Sequence, residues 1–235
     1  MHHAAPVSQR LTIAGPAGSL EARLDLPAET ASVAPVFAVI CHPHPQYAGT
    51  MDNKVVHTLA KACGDLGVPS LRFNFRGVGA SEGAYAEGLG ETEDALAVVA
   101  WGRQRWPGAA LWLAGFSFGA AVAVRASAKA PPSRLIAVAP AVDRIDIRGI
   151  EPACPWLVVL GDADDTVSPA RMLEWAGGLQ PVPLVRQKPR FLPDEQKGPQ
   201  ADFCHVEVQV LPGAGHFFHG RLQDLRDAVT SWAAW

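Results

Sequence analysis

The sequence predicts an α/β protein: a mostly parallel, doubly wound sheet with helices on both faces and an antiparallel hairpin at its N-terminal edge. Three observations carry this. Short apolar runs alternate with helical patterns along most of the 235 residues, as repeated strand–helix units do. Several of those runs, such as PVFAVIC at 35–41, are apolar throughout, the mark of strands covered on both faces. The polar clusters with chemical potential follow predicted strands, and ligands of such sheets bind at the carboxyl ends of the strands.

Residues 11–14 and 20–26 flank Gly15-Pro16-Ala17-Gly18, and Leu20, Ala22, Leu24 and Leu26 alternate with polar residues, which predicts the hairpin. After a link containing Pro, Ser and Thr comes the strand at 35–41. The helix at about 52–66 starts on the polar pair Asp52-Asn53, carries Val55, Val56, Leu59, Cys63 and Leu66 as its apolar positions, and stops at Gly67. A strand returns at 69–75. The next helix, 91–106, has Glu91, Glu93 and Asp94 in its first turn, Arg103 and Arg105 in its last, and Pro107 beyond, which matches the helix dipole and a proline stop.

The strand at 110–115 leads into a helix at 118–130 built of small helix formers. Further strands are expected at 135–139, 156–160 and 206–211. Ser168 and Pro169 supply an N-cap and a first-turn proline to a helix at 170–176. The closing helix, about 221–235, sets Leu222, Leu225, Val229 and Trp232 on one face. Residues 181–202 hold five prolines among Arg186, Lys188, Arg190, Asp194, Glu195 and Lys197, too polar for core. They read as a solvated surface excursion, the alternative being a flap that borders the site. The chain, 1–235, reads as a single domain carrying that excursion, and shows no internal repeat.

With 49% hydrophobic and 18% charged residues, the chain has the means for a substantial core. Its net charge of -3, without a basic stripe or a run of like charges, argues against nucleic acid or an acidic membrane surface as partner. Small neutral or mildly polar molecules fit better, and nothing indicates an oligomeric state. The start, MHHAAPVSQR, lacks a basic segment followed by an apolar core, and no apolar run reaches the length of a membrane span. Cys41, Cys63, Cys154 and Cys204 show no C-x-x-C spacing and fall within or beside apolar stretches, as buried free thiols do. The expected location is cytoplasmic.

Gly115-Phe116-Ser117-Phe118-Gly119 places a serine where a strand turns sharply into a helix. Glycine two residues either side lets the strand and helix backbones approach, and the helix head offers free N–H groups to a developing oxyanion. A serine nucleophile needs a base to take its proton and an acid to orient that base. Both occur after later strands, in Gly161-Asp162-Ala163-Asp164-Asp165-Thr166-Val167 and in Pro212-Gly213-Ala214-Gly215-His216-Phe217-Phe218-His219-Gly220. Asp162, Asp164 and Asp165 compete for the acid.

Two other readings of these residues are weaker. His42 and His44 with His216, His219 and an Asp make a conceivable metal set, but the H-x-H is enclosed by prolines, no H-E-x-x-H helix exists, and the strand–serine–helix turn would have no purpose. No metal is expected. Arg76-Gly77-Val78-Gly79 lacks the G-K-S/T of a phosphate loop and reads as a tight turn, with Arg76 anchoring neighbouring loops. Phe116 and Phe217 flank the nucleophile and base and, with Tyr47, are the candidate substrate-pocket residues.

These motifs, together with His42-Pro43-His44-Pro45, Gly49-Thr50-Met51-Asp52-Asn53 and the run from Asn74 to Gly83, resemble those of the α/β-hydrolases. Within them the chain is similar to small cap-less bacterial hydrolases related to dienelactone hydrolases and short-chain esterases, over nearly its whole length. The resemblance implies the α/β-hydrolase fold, with too little chain between 139 and 156 for a cap domain. It implies Asp164, the Asp of G-x-x-D-x-x-V, as the acid and His216 as the base. The oxyanion hole of such an enzyme needs the N–H of the residue after the nucleophile, Phe118, and one from the loop after strand 35–41. Pro43 and Pro45 have no N–H, which leaves His44 first and Tyr47 second. The family's loop commonly has His-Gly where this chain has His42-Pro43.

The implied activity is hydrolysis of small or short-acyl carboxylic esters through an acyl-enzyme on Ser117, with no cofactor. The same machinery serves thioesterases, lactonases and amidases. An alternative of another class is a catalytically silent binder of a small ligand.

Overall fold

The apolar runs form the middle of one eight-stranded sheet. The computed structural model describes residues 7–27, 35–151, 153–179 and 205–234, so the expected excursion at 181–202 and Cys204 lie outside the described residues. The strands are β1 (Val7–Gly15), β2 (Gly18–Leu26), β3 (Val36–Cys41), β4 (Ser70–Phe73), β5 (Ala110–Phe116), β6 (Arg134–Val138), β7 (Trp156–Gly161) and β8 (Val206–Leu211). Their order across the sheet is β1-β2-β4-β3-β5-β6-β7-β8. The β1–β2 and β2–β4 pairs are antiparallel; all others are parallel. This is the doubly wound sheet with an antiparallel N-terminal hairpin that the sequence predicts.

Alternation decides the hairpin's faces: Leu20, Ala22 and Leu24 are buried while their neighbours are partly exposed. The unbroken runs of β5, β6 and β7 are buried almost throughout. The last strand, β8, is half-buried as an edge strand should be. Helices α1 (Lys54–Asp65), α2 (Leu89–Arg105), α3 (Phe118–Lys129), α4 (Pro169–Gly177) and α5 (Leu222–Ala233) cover the sheet, α1 packing against α5 and α2 against α3. Among the described residues no helix is long and apolar enough to cross a membrane. Cys41 and Cys63 are buried free thiols, and burial pushes the Cys63 thiol up to about 12.

Helix ends and buried charges depart from the expected positions for local reasons. The Asn53 side chain accepts the Val55 N–H at 2.8 Å and caps α1, which leaves Asp52 outside the helix to pair with Arg72. In α2, Glu91 reaches back to accept the N–H groups of Gly88 and Ala86 at 2.7 and 2.8 Å, so the helix begins before it. Asp94 is wholly buried and holds the Arg76 guanidinium at 2.7 Å, the loop anchor expected of Arg76. Arg72, inside the otherwise apolar strand β4, is buried with Asp25 at 2.6 Å and donates to the Met51 carbonyl at 2.9 Å.

The chain passes from β3 to β4 on one side and then to β5 on the other. The strand order therefore reverses at β3, and the crevice outside the carboxyl ends of β3 and β5 is the place for a ligand. Residues 139–155 alone connect β6 to β7, so no cap is inserted there.

Candidate active site

Ser117 follows β5 and caps α3 with φ 56° and ψ -117°, a conformation that L residues hold only when the surroundings enforce it. The enforcement is visible. The Ser117 N–H donates to the Val138 carbonyl at 2.8 Å, and its own carbonyl accepts from the Ala141 N–H at 3.2 Å. A Cβ at Gly115 would lie 2.3 Å from the Gly119 carbonyl oxygen, and one at Gly119 would lie 2.3 and 2.4 Å from the carbonyl oxygens of His42 and Cys41. All are backbone atoms with little room to move. Gly119→Ala is expected to destabilise the fold by at least about 2 kcal/mol, read as a lower urea midpoint. An unchanged midpoint would contradict so close an approach of β3 and α3.

Three loops at the carboxyl ends of β5, β7 and β8 bring Ser117, Asp164 and His216 together. His216 Nε2 lies 3.0 Å from Ser117 Oγ, and His216 Nδ1 lies 2.7 Å from Asp164 Oδ2. All three residues are buried. Asp164 Oδ1 accepts the N–H groups of Thr166 and Val167 at 2.8 and 2.9 Å. Burial by itself would raise the Asp164 pKa, but the hydrogen bond from His216 and those from Val167 and Thr166 outweigh it and hold the carboxyl below its ordinary value. An ionised Asp164 assigns the proton to His216 Nδ1 and leaves Nε2 free to accept from the serine.

The competing carboxylates have other partners. Asp162 accepts the Gly213 N–H at 2.6 Å and ties the β7 loop to the loop carrying His216. Among the described residues, the Asp165 side chain meets the Thr166 hydroxyl, at 3.3 Å. His219 is exposed and stacked on Phe217 at 5.9 Å between ring centroids.

The loop after β3 is held from two sides. The buried His42 ring accepts the Phe75 N–H on Nε2 at 3.0 Å, which puts its proton on Nδ1, 2.6 Å from the Pro43 carbonyl. The Asn74 side chain accepts the Met51 N–H at 2.8 Å. With both ring nitrogens engaged, His42 is a loop-fixing residue. Among the described residues no group of three or more His, Cys, Asp or Glu is placed to hold a metal ion.

Burial pushes the His42 pKa down to about 3, against an ordinary 6.5, with the Pro43 hydrogen bond opposing. Between those values the unfolded chain binds a proton that the folded protein refuses. Stability therefore falls as pH drops below the ordinary value. His42 is expected to contribute a loss of about 1.4 kcal/mol per pH unit below about pH 6, a slope missing in His42→Asn. Urea midpoints at a series of acidic pH values measure it, and equal slopes in both proteins would contradict it.

Residues 45–47, which the sequence reading leaves as loop, form a 3-10 turn, Pro45–Tyr47, whose N-cap is His44. The Tyr47 N–H donates to the His44 carbonyl at 3.1 Å, so Tyr47 is engaged as a donor inside the turn. The N–H groups of His44 and Phe118 have no protein acceptor among the described residues. The Tyr85 hydroxyl lies 3.2 Å from His44 Nε2, and the His44 ring sits 4.8 Å from that of Phe118.

A cavity of about 540 Å³ opens over Ser117, walled by His44 and Tyr47, by Phe118, and by His216 and Phe217. That volume suits a small molecule. Phe116, expected as a pocket residue, is instead fully buried beside His216, with ring centroids 4.9 Å apart. Phe116 is the last residue of β5, which is buried from Leu111 onward, whereas Ser117 stands beyond the strand at the head of α3. Arg144, Thr166 and Val167, which are not among the expected pocket residues, also line the cavity. A separate concavity of about 430 Å³ around Asp25, Arg72 and Arg226 has those charges already paired.

A family model described as Hydrolase_4, serine aminopeptidase S33, matches residues 37–159, just over half of the chain and including the Ser117 turn. The chain belongs to the α/β serine hydrolases. It is 39% identical to an α/β serine hydrolase homologue from Coxiella burnetii, with a TM-score of 0.81 over 95% of this chain and 96% of that one. A lidless α/β serine hydrolase from Xanthomonas campestris is 40% identical, with a TM-score of 0.81 over 95% and 92%. An uncharacterized protein of Rickettsia prowazekii is 32% identical over 224 residues, 93% of this chain and 85% of that protein. This α/β serine hydrolase thus shares its cap-less architecture with a relative described as lidless.

Proposed function

We propose that this α/β serine hydrolase cleaves small or short-acyl carboxylic esters through an acyl-enzyme on Ser117. The observation that carries the reading is the unbroken hydrogen-bond chain from Asp164 through His216 to Ser117 at the floor of an open cavity. Ser117 Oγ attacks the ester carbonyl as His216 Nε2 takes its proton. The N–H groups of Phe118 and His44 receive the tetrahedral oxyanion, Phe118 with the dipole of α3 behind it. His216 then gives its proton to the departing alcohol. Water repeats the path and frees the acid, while ionised Asp164 steadies each imidazolium. No step calls for a cofactor.

An aminopeptidase needs a carboxylate to hold the substrate's terminal ammonium. Among the described residues lining this cavity there is none, and the permanent charge present is that of Arg144. This favours esters over peptides. The test is hydrolysis of p-nitrophenyl acetate and butyrate, with a pre-steady-state burst of p-nitrophenol approaching about one per enzyme as the acyl-enzyme fills. Absence of turnover with both esters, at any enzyme concentration, contradicts the reading and favours a silent ligand binder.

A further inference from the structure

Some surface arginines of this protein have a carboxylate partner, and others, Arg103 and Arg105 among them, have none among the described residues. Arg148 pairs with Asp146, Arg171 with Asp143, and Arg226 with Asp65, at 2.8, 2.7 and 2.5 Å respectively. Arg144 differs. It has no carboxylate partner among the described residues, and its sequence neighbour Asp143 is taken by Arg171. Its guanidinium lies over the Tyr47 ring, 5.5 Å from the centroid, on the wall of the cavity above Ser117. It is the only permanently charged residue among the described residues that line that cavity.

Its place is tied to the nucleophile through the backbone. The Arg144 N–H donates to the Ala141 carbonyl at 3.0 Å, and the Ala141 N–H donates to the carbonyl of Ser117 itself at 3.2 Å. A guanidinium against an aromatic face keeps its in-plane N–H donors available, and that fork matches the oxygens of a carboxylate or phosphate-type anion. The cation's field reaches into the site: after burial, the charge of Arg144 is the next cause that holds His44 below its ordinary pKa.

We propose that Arg144 makes the enzyme selective for esters that carry an anionic oxygen group a few bonds from the reacting carbonyl. The proposal rests on the ester-hydrolase reading above. The neutral part of such a substrate lies over Ser117 and its anion meets the guanidinium at the cavity wall. Selectivity is then set by one charge at the rim, and the rest of the cavity serves neutral and anionic esters alike.

The test compares three methyl esters of equal length: methyl butyrate, monomethyl succinate and methyl 3-phosphonopropanoate, with wild type, Arg144→Ala and Arg144→Lys. Fluorophosphonate labelling of Ser117 first verifies an assembled site in each variant. The ratio of kcat/KM for an anionic ester to that for methyl butyrate is expected to exceed one in wild type. It should fall about tenfold or more in Arg144→Ala and in part in Arg144→Lys. It should also shrink as salt is raised. The succinate and phosphonate arms distinguish a carboxylate from a phosphate-type anion.

A ratio below one in wild type, or one unchanged by Arg144→Ala, overturns the proposal while leaving ester hydrolysis intact. If Ser117 labels but none of the three esters turns over, the esters' ability to slow labelling decides. Slowing by the anionic esters that is lost in Arg144→Ala supports the proposal, and equal or absent slowing overturns it. Absence of both labelling and turnover in wild type removes the underlying hydrolase reading instead.

Discussion

Ser117→Ala is expected to lower kcat for p-nitrophenyl butyrate by on the order of 10⁵–10⁶, with the protein still folded. The size follows from the geometry. Ser117 Oγ is the atom that faces His216 Nε2, and among the described residues of the cavity wall no other hydroxyl is hydrogen-bonded to a histidine that a carboxylate orients. What remains is catalysis by the oxyanion donors and binding, which act on water as a poor substitute nucleophile. The alanine removes one buried hydroxyl from a turn whose backbone bonds, to Val138 and from Ala141, do not involve it. The urea midpoint is therefore expected to stay close to that of wild type. A variant retaining more than about one per cent of wild-type kcat contradicts the assignment of the nucleophile.

Asp164→Asn is expected to lower kcat by about 10⁴, although it changes a single atom. Asp164 Oδ1 accepts two backbone N–H groups, from Thr166 and Val167, so an amide at this position must leave its oxygen there. Its NH₂ group then faces His216 Nδ1, where the carboxylate Oδ2 lies 2.7 Å away in the wild type. Nδ1 is forced to accept, the ring proton moves to Nε2, and the base presents a donor to the serine. The imidazolium also loses its counter-charge. Steady-state kinetics at neutral pH measure the effect. A loss of less than about tenfold would mean that another group orients His216.

The strands and helices were legible because their causes are local and periodic. Unbroken apolar runs at β5, β6 and β7 are too short for buried helices and fit strands covered on both faces, and the alternation of Leu20, Ala22 and Leu24 fixes the hairpin's buried side. Ser117, Asp164 and His216 were legible for a related reason, since each follows the carboxyl end of a strand and stands among turn residues. Their mutual distances were not, because these depend on how three crossovers stack. Charges inside the core also escaped the pattern. Arg72 and Asp94 look like surface residues until Asp25 and Arg76 are seen beside them.

The walls of the cavity were the least legible part. Phe116 stands next to Ser117 in sequence and yet is buried behind His216 and does not line the cavity, whereas Arg144 lies 27 positions beyond Ser117 in an irregular segment with no motif of its own. The backbone bond from Ala141 to Ser117 and the contact of Arg144 with the Tyr47 ring tie that segment to the site, and neither is written in a local pattern.

The central claim is that Ser117 is an activated nucleophile, and the most direct measurement is mass spectrometry of the protein after reaction with a fluorophosphonate. A single adduct is expected, mapped to Ser117, formed in step with loss of esterase activity and greatly slowed in His216→Ala. An adduct on another residue, or ester hydrolysis that persists after Ser117 is fully modified, would contradict it.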